Sequence, residues 1–272
     1  MARPPIRQSV RRRRRPRVCE ASGTVPTGPA PNSTTEAASF APLGWLGSSR
    51  TGFNLLPSNY ARRTTARRRS ALLGILAVCT GNVCRSPLAE QLLIDRLAGF
   101  DVSVTSAGTR ARDGASMTPE TAGIAVSRGC IPERVASHRA QLLTPEHLRA
   151  ANLALAMTRE HRREIVEMDP SLVRRTFTLR ELSRLLGGVS DDQLRDGSRP
   201  GVGQSTPEGK LSAMLAFAAS RRGVVSPVLP EDDDVVDPYR RSARTYALSA
   251  GQISEALPTV QRLVHLASDR WA

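Results

Sequence analysis

From Leu72 onward the apolar positions alternate between two periods. Leu72 to Val78 is an unbroken aliphatic run that stops at a Cys-Thr-Gly-Asn turn, the pattern of a strand buried on both faces. Leu88, Leu92, Leu93 and Leu97 then recur at helical spacing to about residue 98, behind Ser86-Pro87, which offers a capping hydroxyl and a proline at the first helical position. Asp101 to Thr105 alternates as a second strand, and Asn152 to Thr158 and Thr176 to Leu179 supply two more short apolar strands. Thr-Pro-Glu occurs at 118–120, 144–146 and 206–208, each time placing a cap, a proline and an acid where a helix begins. A helix at 207–222 carries Leu211, Met214, Leu215 and Ala218. The last, at about 242–268, aligns Ile253, Leu257, Val260 and Val264 on one face around Pro258, which predicts a kink or a division. Strands alternating with helices predict an α/β fold, a four-stranded parallel sheet with helices on both faces.

Two stretches break this rhythm. Residues 187–206 are glycine-rich with few apolar groups and read as a flexible insertion, either an inert surface loop or a lid. Residues 1–70 hold eight prolines, an Arg11–Arg15 run and a second arginine cluster at 62–69, with no sustained period, so they read as a disordered tail before a domain at 71–272. Charge sharpens that division. The chain has 39 Lys+Arg against 25 Asp+Glu, net +14, but residues 1–70 contain 14 Arg and two acids, so 14 − 2 = +12 lies there. The near-neutral body is thereby excluded as a basic domain that coats nucleic acid. The tail is left as an arm for nucleic acid or an anionic surface, or as an unselected extension or a start codon placed too far upstream.

Arg67-Arg68-Arg69-Ser70 ahead of the apolar run resembles a secretory signal, but the run ends after about eight residues without a small-x-small cleavage site. No run of about 18 apolar residues predicts a membrane span. Only 4% of residues are aromatic, so the core is aliphatic. Cys19, Cys79, Cys84 and Cys130 form no disulfide framework and no zinc-ligand spacing, which reads as reduced thiols in a cytoplasm.

Chemistry concentrates between the first strand and the first helix, at Cys79-Thr80-Gly81-Asn82-Val83-Cys84-Arg85-Ser86-Pro87. A short loop entering a helix N-terminus turns successive backbone N–H groups into one concavity, and the helix dipole adds positive potential. Gly81 and Asn82 tolerate the left-handed backbone such a nest needs. Arg85 can grip two phosphoryl oxygens, Cys79 at the base is favoured as a thiolate nucleophile, and Ser86 can donate to its sulfur. An anion cradle around a thiolate points to phosphoryl transfer through a cysteinyl phosphate. A carboxylic acid is then needed to protonate the leaving oxygen. Asp237 is one candidate, beside Asp232, Asp233 and Asp234, which would raise its pKa if near or are its rivals, and Asp169 of Asp169-Pro170.

The loop resembles the signature of the low-molecular-weight protein tyrosine phosphatases, and later segments agree in order: Ser106-Ala107-Gly108-Thr109, Ser137-His138-Arg139-Ala140, Met157-Thr158 and Asp237-Pro238-Tyr239. The resemblance covers about residues 72–268. It implies Cys79 as nucleophile, Arg85 as phosphate clamp and Asp237 as general acid and base. Thr80, Gly81, Asn82, Val83, Cys84 and Ser86 then complete the phosphate-binding loop. Ser106 and His138 support Asn82, and Tyr239 lines the entrance. It also implies metal-free, cofactor-free hydrolysis of phosphotyrosine in proteins, with a tyrosine kinase as a candidate partner.

Three departures qualify that inheritance. Residues 110–114 read Arg-Ala-Arg-Asp-Gly where many members place a substrate-stacking aromatic; Asn152 and Gln141 replace a common aspartate and arginine as structural substitutions; and the insertion moves Asp237 along the chain. Two related activities share the cradle. Protein arginine phosphatases have threonine at the position of Val83, and arsenate reductases need a later cysteine pair, whereas only Cys130 lies downstream. Cys84 reads either as a packed small residue or as a thiol that traps oxidised Cys79. His147, His161 and His265 carry no ligand spacing and no assigned role.

Overall fold

The computed structural model describes residues 73–197, 206–226 and 228–268. The expectations for the tail at 1–70 and for the 198–205 part of the insertion lie outside the described residues. Strands β1 (Leu73–Cys79), β2 (Val102–Gly108), β3 (Leu153–Ala156) and β4 (Thr176–Thr178) form one parallel sheet in the order β2-β1-β3-β4. The helices are α1 (Arg85–Arg96), α2 (Pro119–Ser127), α3 (Pro132–Ser137), α4 (Pro145–Ala150), α5 (Arg159–Met168), α6 (Leu179–Leu186), α7 (Asp191–Gly197), α8 (Pro207–Ser220), α9 (Pro230–Asp233) and α10 (Ala243–Ala267).

Successive side chains of a strand point to opposite faces, and β1 distributes its residues accordingly. Leu73, Ile75, Ala77 and Cys79 enter one buried cluster with residues of α1, α6, α8 and α10, while Leu76 and Val78 enter another with Leu148, Ile165 and Leu172. Helices therefore cover both faces, which is why β1 reads as an unbroken apolar run rather than an alternating one. Gly74 is the exception in that run, since a Cβ there would stand 2.1 Å from the Ala150 carbonyl oxygen. Its N–H donates to Asn152 Oδ1 at 2.7 Å, so Asn152 is a strand-edge acceptor.

All three Thr-Pro-Glu segments open helices. Thr118 and Thr206 accept backbone N–H bonds from Thr121 and Gly209, and the Thr144 N–H donates to Nδ1 of His147. Three expectations need correction. The cap of α1 is Cys84, not Ser86, whose hydroxyl is spent inside the loop described below. Pro258 does not divide α10, because Ile253, Leu257, Val260 and Val264 are fully buried on both sides of it and packing outweighs one lost N–H bond. The glycine-rich insertion is not all loop: residues 191–197 form α7, with Leu194 buried and Asp191 accepting from Arg262 of α10.

Candidate active site

In open parallel sheets, ligand crevices form outside the C-terminal strand ends where connections diverge to opposite sides. β1 pairs with β2 on one side and β3 on the other, so the ends of β1 and β3 frame such a crevice. The loop 79–85 starts at the first of these ends and runs into α1.

Asn82 holds that loop in shape. It has a left-handed backbone (φ 52°) and is completely buried. Its Nδ2 donates to Ser86 Oγ (2.9 Å) and Ser106 Oγ (2.7 Å), its Oδ1 accepts from the Gln141 N–H (2.9 Å), and its carbonyl accepts from His138 Nε2 (2.9 Å). Because a carbonyl can only accept, His138 carries a proton on Nε2. Ser106 in turn donates to Glu90 Oε2 at 2.7 Å, and that carboxylate lies 3.7 Å from His138 Nδ1. Gln141 thus contributes to this network through its backbone, while its side-chain oxygen lies 3.0 Å from His147 Nε2. Gly108 lets β2 approach the loop: a Cβ there would lie 2.6 Å from the Thr80 carbonyl oxygen and 2.9 Å from the Asn82 nitrogen.

At the base, Cys79 Sγ lies 3.0 Å from Ser86 Oγ and accepts the Asn82 N–H at 3.3 Å. Both groups stand within hydrogen-bond reach of the sulfur and fix its position at the base of the loop. The loop encloses one end of a cavity of about 440 Å³ lined by Cys79, Thr80, Gly81, Val83, Cys84 and Arg85. Asp237 and Tyr239 line its other side, and Arg110, Arg112 and Ala115 its rim. Arg85 is buried; its Nη1 donates to the Val235 carbonyl and its Nη2 lies 3.2 Å from Asp237 Oδ2. The expected loop residues therefore assemble around one cavity, with the side chains of Asn82 and Ser86 as its buried supports, while Ser106 and His138 brace it from behind.

Asp237 does not stand among like charges. Its side chain is 56% exposed, its nearest ion partner is Arg85, and its Oδ1 accepts the Tyr239 N–H. Asp233 is buried between Arg159 and Arg184, which hold its carboxyl below the ordinary carboxylate range against the opposing effect of burial. Asp234 accepts the Arg159 N–H at 2.7 Å. Asp233 and Asp234 thus tie the segment before Asp237 to Arg159 and Arg184. Asp169 caps a short 3₁₀ turn through Ser171, outside the cavity. Cys84 is buried, its thiol pushed up by desolvation, and its Sγ lies near Thr118 Oγ1 (3.5 Å) and Tyr246 Oη (3.9 Å), the setting of a packed residue.

His161 is the side chain that periodicity missed. It is buried behind the loop, with Nε2 2.8 Å from Thr80 Oγ1 and Nδ1 2.8 Å from Thr158 Oγ1. Burial, reinforced by Arg85 and Arg110, lowers its pKa to about 3, so it is neutral at working pH. The unfolded chain takes up this proton near pH 6.5. The folded form therefore loses stability as pH falls from 6.5 toward 3, by about 1.4 kcal/mol per pH unit. His161→Gln removes that contribution. Urea unfolding at pH 6.5 and 4.5 should show a shallower acid loss for the variant than for the wild type; parallel losses would contradict the assignment.

The loop thus sets the Cys79 sulfur at the base of a cavity that the Arg85–Asp237 pair also lines, an arrangement with room for a phosphoryl group. The profile described as low molecular weight phosphotyrosine protein phosphatase matches residues 74–191. The chain is 40% identical over 119 residues to a protein-arginine-phosphatase from Geobacillus stearothermophilus, covering 43% of this chain and 76% of that one. It is 39% identical over 110 residues to a probable low molecular weight protein-tyrosine-phosphatase, EpsP, from Ralstonia solanacearum, covering 40% and 72%. The solved YwlE arginine phosphatase from Geobacillus stearothermophilus aligns at 26% identity and TM-score 0.47, covering 70% of this chain and 90% of that one. The protein belongs to the low-molecular-weight phosphotyrosine protein phosphatase family and is a phosphatase. Among the described residues, no helix is long and apolar enough to cross a membrane.

Proposed function

We propose that this phosphatase hydrolyses phosphotyrosine in proteins through a cysteinyl phosphate. Cys79 Sγ attacks phosphorus, the P–O bond to the aryl oxygen breaks, and Asp237 gives that oxygen its proton. Water then attacks the thiophosphate with Asp237 as base, releasing phosphate and the thiolate. Arg85 and the N–H groups of the loop stabilise the equatorial oxygens throughout. The observation that carries this reading is the Arg85 to Asp237 pairing at 3.2 Å across the cavity whose base is Cys79, since it puts clamp, acid and nucleophile around one phosphoryl-sized space.

The relatives include both tyrosine and arginine phosphatases, so substrate choice rests on the cavity. Val83 lines it without a hydroxyl to orient a guanidinium, and Arg110 and Arg112 repel that cation. Val83, Ala115 and Tyr239 instead offer an apolar slot for a phenyl ring. Equal concentrations of a phosphotyrosine and a phosphoarginine peptide of the same sequence should differ in kcat/KM by about 10²-fold or more in favour of phosphotyrosine, the size expected when a polar substrate group finds no partner. Faster turnover of phosphoarginine would transfer the assignment to the arginine branch. Arsenate reduction is disfavoured because Cys130, the one downstream cysteine, is buried. We take residues 71–272 as the catalytic domain and a cytoplasm as its compartment.

A further inference from the structure

The rim segment 110–115 is the part of the site that hydrolysis itself does not use, and it is firmly held. Thr109 and Arg110 donate their N–H groups to the carbonyls of Cys79 and Thr80, both at 2.9 Å. Gly114 donates to the Ala140 carbonyl, Ala140 to the Ala115 carbonyl, and the Leu142 N–H to Asp113 Oδ1 at 2.6 Å. Both ends of the segment and its middle are therefore tied to the body of the domain.

The charges on this rim are unevenly spent. Arg110 pairs with Glu164 at 2.7 Å. Asp113, the acid next to Arg112 in sequence, has its carboxylate engaged by the Leu142 N–H. Arg112 lines the cavity and is exposed, and its guanidinium has no ion pair or hydrogen bond among the described residues. Beside Tyr239, which also lines the cavity, the Arg240 guanidinium lies 5.1 Å from the ring centre. The carboxylate lining the cavity, Asp237, is already paired with Arg85. A phosphorylated ring that reaches Cys79 thus leaves the chain on either side of it beside an uncompensated guanidinium on the rim and a second over the Tyr239 ring.

Resting on the phosphotyrosine reading above, we infer that Arg112, with Arg240 beside Tyr239, forms an acidic-residue subsite, and that the substrate class is phosphotyrosine flanked by aspartate or glutamate. Guanidinium and carboxylate match as a planar two-bond pair, and a cationic cleft mouth also raises the encounter rate of anionic chains. Exposed pairs of this kind are individually weak, so the preference is modest and fades with salt.

The test uses the full chain and three phosphotyrosine peptides of equal length, with acidic, alanine or basic flanks. The readout is the ratio of kcat/KM between acidic and alanine peptides, which cancels any general loss in a variant. The wild type should favour the acidic peptide by roughly three- to fivefold, a range set by two exposed ion pairs. Arg112→Ala should reduce that ratio, Arg112→Glu should bring it below one, and high salt should flatten it. A wild-type ratio of one, or a ratio unmoved in Arg112→Glu, overturns the subsite while leaving the phosphotyrosine reading standing. Turnover of p-nitrophenyl phosphate with none of the three peptides overturns both.

Discussion

Cys79→Ser should lower turnover of an aryl phosphate by at least about 10⁴-fold, because the other thiol lining the cavity, Cys84, is pushed up by desolvation and is the poorer nucleophile. The same variant should bind inorganic phosphate within about threefold of wild type, since the loop amides and Arg85 that hold the anion are untouched. The substitution swaps one small buried atom for another. Ser86 Oγ, 3.0 Å from the sulfur, and the Asn82 N–H, 3.3 Å away, can serve a hydroxyl equally well. Isothermal titration with phosphate beside a steady-state assay checks both halves. Residual turnover above about 1% of wild type would remove Cys79 from the nucleophile's role, given the size of effect that loss of a nucleophile produces.

Asp237→Ala should act differently on different substrates. A general acid is worth about 10²- to 10⁴-fold when the leaving oxygen is basic, and little when it departs readily as an anion. Phenyl phosphate should therefore lose about 10²-fold or more in kcat/KM, and p-nitrophenyl phosphate much less, as measured across a series of phenols of rising pKa. Equal losses across the series would mean that Asp237 only positions Arg85, to which it is paired at 3.2 Å. Asp233, buried between Arg159 and Arg184, keeps the acid segment in register, and its own replacement should not reproduce this leaving-group dependence.

The parts of this structure that the sequence made legible are those whose chemistry is local. Cys79 to Ser86 can be read directly because a strand, a nest and a helix start follow each other within nine residues. The Thr-Pro-Glu helix starts are legible for the same reason, since cap, proline and acid act on neighbouring backbone. The illegible parts depend on residues far apart in sequence. His161 meets Thr80 across 81 positions, and Asp233 meets Arg159 across 74. Neither has a spacing that periodicity can detect, although Thr158 before His161 is a recognisable cap. Ser86 looked like a cap because its hydroxyl precedes a proline; the stronger claim of Asn82 and Cys79 on that hydroxyl is tertiary. α7 was hidden by flanking glycines, and a single buried leucine, Leu194, with the Asp191–Arg262 pair holds it on the domain. At Pro258 the division that the sequence left open does not occur, because the helix face on both sides of it is buried.

The central claim is that the phosphoryl group passes through Cys79. In Asp237→Ala the base for the second step is missing, so the thiophosphate should outlive its formation from p-nitrophenyl phosphate. Rapid alkaline denaturing quench of that variant during turnover, followed by peptide mass analysis, should find one phosphoryl group on the peptide bearing Cys79, absent in Cys79→Ser. A burst of p-nitrophenol should accompany it. Turnover with no phosphoryl group on Cys79 at any time would contradict the mechanism, and point to direct attack of water in the cradle instead.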